Sequence, residues 1–121
     1  MNGSQLEASE VSELVRALPW GEDETGFVAE LQAGSESAFS LLVTYYHVPL
    51  YNLVYRMIGD AADAADVTQE VFLKVFRGIR GFRRGSSLKT WLYRIAIREA
   101  LNQRRWWARH RHHQTSIDAP A

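Results

Sequence analysis

The sequence predicts an all-α fold, a compact bundle of about four to five helices, and three observations carry that reading. Apolar residues recur at steps of three and four along almost every stretch. No run alternates with the two-residue period of a strand. Capping and breaking residues fall between the periodic stretches, at Gly34–Ser35, at Gly59–Asp60 and in the segment RGFRRGS from Arg80 to Ser86.

Residues 5–18 predict a short first helix through Leu6, Val11, Leu14, Val15 and Leu18, and the segment from Pro19 to Glu24 breaks it. Its acids and its terminal position make residues 1–24 an N-terminal arm rather than part of a core. A second short helix covers 25–33 and stops at Gly34, because glycine tolerates the positive φ of a helix end. Ser35 caps the next helix. Its apolar positions Phe39, Leu42, Tyr46, Leu50, Leu53 and Met57 form one continuous face. Pro49 lies inside that pattern, so a kink or a break is expected there. Gly59 ends the helix. Asp60 starts another, with Asp63 imitating a capping box, and it runs to about Ile79. Ser86 or Ser87 caps the last helix, which the pattern carries to about Arg111, roughly 37 Å of helix. The tail TSIDAPA reads as the start of a linker. The resulting organisation is an arm over 1–24, a helical domain over 25–113 and the beginning of an interdomain linker over 114–121.

A chain of 121 residues has room for one domain with a modest core, and 46% hydrophobic with 23% charged residues fits a folded soluble protein. The absence of cysteine removes disulfides, cysteine-based zinc fingers and thiol chemistry, and fits a reducing compartment. Early acids and broken apolar runs argue against a signal peptide or a membrane insertion, so the cytoplasm is the simplest address. No glycine-rich phosphate loop, nucleophile–base pair or paired-carboxylate site stands out, so neither an enzyme activity nor a cofactor is expected. His110, His112 and His113 have no acid or cysteine nearby to complete a metal site and read as a solvated basic helix end.

The net charge of zero conceals a division. Up to Phe76 there are 12 acidic and 3 basic residues, and from Arg77 onward 11 basic and 2 acidic, so the halves carry −9 and +9. The basic half also holds Trp91, Trp106 and Trp107. A small chain with one positive, aromatic-bearing part and one negative part suits two different partners, with nucleic acid the natural one for the positive part.

On a wheel of 100° per residue, Leu88, Leu92, Ile95 and Ala96 share the core side of the last helix. A second stripe passes through Trp91, Arg94, Arg98, Asn102, Arg105 and Arg109. Guanidinium forks pair with phosphate oxygens, and an indole stacks on an unpaired base. The alternative is a solvated face with Trp91 packed inward. The adjoining loop adds Arg80, Arg83 and Arg84 beside Phe82, a density of charge that repels itself unless an anion arrives, while Gly81 and Gly85 allow a close backbone approach. On the helix over 60–79, Val67, Val71, Phe72, Val75 and Ile79 point inward. The opposite arc holds Asp66, Gln69, Glu70 and Leu73. An apolar anchor inside an acidic rim is one way to build a protein–protein contact, although a single exposed leucine is also common.

Two segments, ADAADVTQEVFLKVFRGI and FRRGSSLKTWLYRIAIREALNQRR, resemble region 2 of the extracytoplasmic-function group of bacterial sigma factors. Asp63, Ala64, Asp66, Gln69, Glu70, Val71 and Phe72 resemble the D-A-x-D-x-x-Q-E-x-F signature. Phe82, Gly85, Ser86, Thr90, Trp91, Leu92, Tyr93, Arg94, Ile95 and Ala96 resemble the F-x-x-x-S-x-x-T-W-L-Y-R-I-A signature at matching spacing. The resemblance covers about residues 25–113. It implies that Asp66, Gln69, Glu70 and Leu73 dock on the β′ clamp helices of core RNA polymerase. It also assigns Phe82, Arg83, Arg84, Ser86, Ser87 and Trp91 to melted promoter −10 DNA with a flipped base of the non-template strand. Arg94, Arg98 and Arg105 would lie along that strand, and Arg80, Lys89 and Asn102 complete the expected DNA-binding set. An anti-sigma factor is implied as a further partner.

Several residues depart from the pattern. Leu88 stands where an aromatic is usual, and Arg98 where many relatives have asparagine, so base preference does not transfer. Trp106 and Trp107 replace part of an arginine-rich stretch, either to cover a base or to finish the helix packing, with packing preferred because tryptophan normally buries its ring. The family's second domain, which reads the −35 element, is not among these residues, so the chain is expected to be a fragment. The competing reading is an all-helical regulatory module that binds duplex DNA or RNA without polymerase.

Overall fold

A computed structural model describes residues 23–118, with side chains described as far as His110. The fold is all-α: α1 Glu24–Gln32, α2 Glu36–Ile58, α3 Ala61–Gly78, a 3-10 turn Ile79–Gly81 and α4 Leu88–Asp118, with no strand among the described residues. The arm helix expected over 5–18 lies outside them. The chain divides after Tyr45 into two units, and the boundary falls inside α2.

In the first unit, Asp23 caps α1, its carboxylate accepting from the Gly26 N–H at 2.9 Å. A Cβ on Gly26 would run into that carboxylate. The helix buries Phe27, Val28 and Leu31. It ends in a Schellman turn: the Ser35 N–H reaches the Glu30 carbonyl and the Gly34 N–H the Leu31 carbonyl, both at 3.0 Å. Gly34 supplies the φ of 87° that this turn needs. Ser35 then caps α2, accepting from the Ala38 N–H at 3.2 Å, as the sequence predicts. Ala38 and Leu42 are buried on this part of α2.

The second unit opens with the remainder of α2, where Tyr46, Leu50 and Val54 form a buried stripe at steps of four. The expected break at Pro49 does not occur. One helix passes from Glu36 to Ile58 with Pro49 inside it. Proline cannot donate to the Tyr45 carbonyl, and such a site costs about 3 kcal/mol in an unsupported helix. Each large buried side chain contributes about 1.5–3 kcal/mol, so the stripe on either side of Pro49 is sufficient to hold the helix together. Gly59 ends α2 at a φ of 82°. Asp60 caps α3, accepting from the Asp63 N–H at 2.9 Å.

Ala64, Val67, Val71, Phe72 and Val75 are buried along α3, followed by Ile79 in the turn. Thr68 is the one fully buried polar side chain among them, and its hydroxyl is satisfied by donating to the Ala64 carbonyl at 2.7 Å. The ring of Phe72 stacks on His47 at 6.2 Å, which ties α3 to α2 within this unit. The main packing partner of α3 is α4, which buries Leu88, Leu92, Ala96 and Ala100. Leu88, the departure from the usual aromatic, is wholly buried. Ser87, rather than Ser86, caps α4, accepting from the Thr90 N–H at 3.1 Å. The helix continues past Arg111 to Asp118, about 46 Å in all, and so includes residues read from the sequence as the beginning of a linker.

Candidate strand-binding and docking faces

The basic loop is built from its apolar residue outward. The turn at Ile79–Gly81 leads into Phe82, which is only 6% exposed. The Phe82 ring stacks on Trp91 at 4.9 Å between centroids and 28° between planes. Trp91 in turn lies against Gly78, where an added Cβ would meet the indole at 3.6 Å. Trp91 is therefore half-buried, held between the loop and the end of α3. Phe82 acts as a support beneath it rather than as an open stacking surface.

Arg84 closes the loop, its guanidinium 6.0 Å from the centroid of Phe82. Its φ of 61° is left-handed, which costs a non-glycine residue on the order of 1 kcal/mol. Gly81 and Gly85, in contrast, do not take a positive φ, and a Cβ on either would meet nothing within 4 Å. The fold itself thus has no steric need for glycine at these two positions. Arg80, Arg83 and Ser87 are exposed, and Ser86 is half-buried. Lys89 is exposed but lies 5.5 Å over the ring of Tyr93.

Along α4, the structure gathers Arg94, Arg98, Asn102 and Arg105 around one shallow depression of about 500 Å³, with Ile97 and Leu101 between them. Arg94 and Arg98 are exposed and form no ion pair among the described residues. Arg105 makes a long contact of 3.4 Å to Asn102 Oδ1, which is weak for a hydrogen bond. A row of guanidiniums without internal carboxylate partners retains its capacity for phosphate.

The acidic face is equally accessible. Asp66 and Gln69 are exposed, Glu70 is half-buried and Leu73 is 44% exposed. Phe76, 60% exposed, extends this face by one turn. The sequence reading passed over it, although a residue three positions after Leu73 falls on the same side of a helix. Asp63, at the head of α3, has its carboxyl raised above the usual value by desolvation and by the nearby charges of Asp60 and Asp66. Lys74 Nζ joins Glu99 Oε2 at 3.1 Å and links α3 to α4.

Two expectations change here. The charge division of the sequence suggests faces on opposite parts of the molecule, but they are neighbours: Asn102 borders both the arginine depression and a groove lined by Asp66 and Glu70. The preference for packing holds only in part for the tryptophan pair. Trp107 is half-buried, while Trp106 is 45% exposed, edge-on to Trp107 at 5.9 Å and stacked on His110 at 4.0 Å. No group of three potential ligands among the described residues is placed to hold a metal, and no described helix is long and apolar enough to cross a membrane.

The family model for sigma-70 region 2 matches residues 42–112. The chain is 43% identical over 81 residues to the RNA polymerase sigma-H factor of Pseudomonas aeruginosa, covering 67% of this chain and 42% of that protein. It is also 43% identical over 75 residues to the ECF RNA polymerase sigma-E factor of Escherichia coli K12, covering 62% of this chain and 39% of that protein. The matches thus span about two fifths of the length of these relatives. Among solved structures, an engineered region 2 of sigmaE, determined by NMR in complex with GTAAAA, aligns with a TM-score of 0.66 at 36% identity. That alignment covers 72% of this chain and 90% of the other. The helices and the matched residues define a region 2 module. The chain belongs to the sigma-70 region 2 family, and its relatives place it in the extracytoplasmic-function group.

Proposed function

We propose that this domain docks on core RNA polymerase through the α3 face and holds the melted non-template strand of the promoter −10 element on the loop and α4. Asp66, Gln69, Glu70 and Leu73, extended by Phe76, meet the β′ clamp helices. Trp91 stacks on a base of the opened strand, with Phe82 fixing its position from below. Arg80, Arg83, Arg84 and Lys89 surround that base, while Ser86 and Ser87 offer it short polar side chains. Arg94, Arg98, Asn102 and Arg105 take the phosphates. Opening a base pair costs a few kcal/mol, least at A·T-rich steps, and a stacked base contributes about 1–3 kcal/mol in return. The work belongs in the cytoplasm, where the polymerase and the promoter are.

The observation that carries this reading is the structural likeness to a region 2 in complex with a six-nucleotide strand. The exposed arginine row, with no ion pair among the described residues, supports it independently. The test is direct binding of the chain to core polymerase and to single-stranded oligonucleotides. Wild type should bind polymerase and Glu70→Lys should lose that binding; indifference to the charge reversal would overturn the docking assignment. Trp91→Ala should weaken single-strand binding by about tenfold, in a variant whose fold is checked by thermal melting. With four to six phosphate contacts, the logarithmic salt slope for single-stranded DNA should be about −3 to −4. A preference for duplex over single strands would point instead to a regulator that works without polymerase.

A further inference from the structure

The α3–α4 groove offers chemistry that strand binding does not use. It holds about 410 Å³ and is lined by Asp66, Val67 and Glu70 from α3 and by Glu99, Asn102, Gln103 and Trp106 from α4. Three of these side chains are carboxylates, so phosphate would be repelled. Glu99 already holds Lys74 at 3.1 Å. Asp66 and Glu70 form no ion pair among the described residues, and so leave negative charge facing the groove without a cation. Val67 is buried and gives an apolar floor.

Trp106 supplies the remaining wall. An indole that is 45% exposed gains little from packing, yet this one is held in place, with His110 stacked on it and His110 Nδ1 2.8 Å from the Trp106 carbonyl. The edge of Trp107 adds a second support. A fixed π face beside two carboxylates matches one kind of occupant above others. A guanidinium is planar, stacks on indole, carries positive charge and forks to carboxylate oxygens.

We propose that this groove receives an arginine side chain of the protein partner, stacked on Trp106 and paired with Asp66 and Glu70. The inference rests on the polymerase-docking reading above and deepens it, because Asp66 and Glu70 belong to both. It moves Trp106 from the strand side of α4 to the docking side. It also gives the departure from an arginine-rich stretch a physical purpose: a third acceptor for cationic charge where an arginine would have repelled it.

Binding of the full chain to purified core polymerase tests this with Trp106→Ala, Trp106→Leu and Trp106→Phe. Thermal melts should show all three folded, since the replaced ring is nearly half exposed and lies outside the buried core. Trp106→Ala and Trp106→Leu should each weaken polymerase binding by about fivefold or more, while Trp106→Phe keeps most of it. Affinity for a single-stranded −10-like oligonucleotide should be unchanged in all three. If Trp106→Leu binds as wild type does, stacking of a cation is refuted. If instead single-strand affinity falls, Trp106 belongs to the nucleic acid. Loss of binding in Glu70→Lys with no effect at Trp106 would remove the groove occupant and leave the docking reading standing. A wild type that fails to bind polymerase at all removes both.

Discussion

Asp63 shows how one side chain links helix capping to pH. It stands in the first turn of α3, where the helix dipole favours an acid, yet desolvation and the charges of Asp60 and Asp66 raise its carboxyl above the usual value. The ionised form is thus disfavoured in the folded chain. As pH falls through the raised value, the folded state takes up its proton before the unfolded state does, so this group adds stability on acidification. Asp63→Asn should therefore melt no lower than wild type at pH 7. Its relative advantage should shrink as pH is lowered toward about 4, where the unfolded carboxylate also protonates. Melting curves across that range check the sign, and an advantage that grows with acid would contradict it. Phe82 and Trp91 teach a different lesson at this scale. Sequence identifies both as aromatics beside a cationic loop, but only tertiary structure reveals which ring lies underneath. Phe82 is buried because the turn at Ile79–Gly81 directs it inward, and no periodic pattern spans that turn.

Among the elements, helix ends were the easiest features to read. Ser35, Gly34, Gly59 and Asp60 act within a few residues of themselves, so local chemistry determines them. The end of α4 was missed for the complementary reason: no glycine or proline occurs between Arg111 and Asp118 to stop the helix. Pro49 was over-read, since its penalty is local while the packing that overrides it is not. Pro49→Ala should replace a ring that lacks an N–H by the best helix former and raise stability by about 1 kcal/mol or more, measured by urea denaturation. A loss of stability would mean that the proline ring contributes more through packing than the missing bond costs. The acidic face of α3 was legible as far as Leu73. Phe76 was overlooked because an aromatic next to a buried valine is normally assigned to the core. Trp106 was read as packing because tryptophan normally buries its ring, whereas it is 45% exposed.

At the level of the molecule, the charge division is already present in the residue counts, but its layout is not. Halves of a sequence need not be opposite faces of a fold. Here α4 carries guanidiniums along one side and helps to line an acidic groove along the next, with Asn102 at the ridge. Family membership follows from the residues that also form the core and the faces, so fold and class were readable together. The partner assignments depend on how the faces are used, and the binding measurements described above address that.

The shared ridge at Asn102 would make the two proposed binding events electrostatically dependent. A Debye length of about 8 Å at physiological salt is comparable to the width of a helix, so fields on either side of α4 overlap. Neutralising the acidic side with Asp66→Asn and Glu70→Gln should tighten single-strand binding, although the proposal places neither residue on the strand, and the gain should fade as salt is raised. By thermodynamic reciprocity, a cationic partner seated in the groove has the same effect, and a captured strand strengthens the hold on that partner. The domain would then grip DNA best when already engaged, which favours assembly on the enzyme over binding to stray single strands.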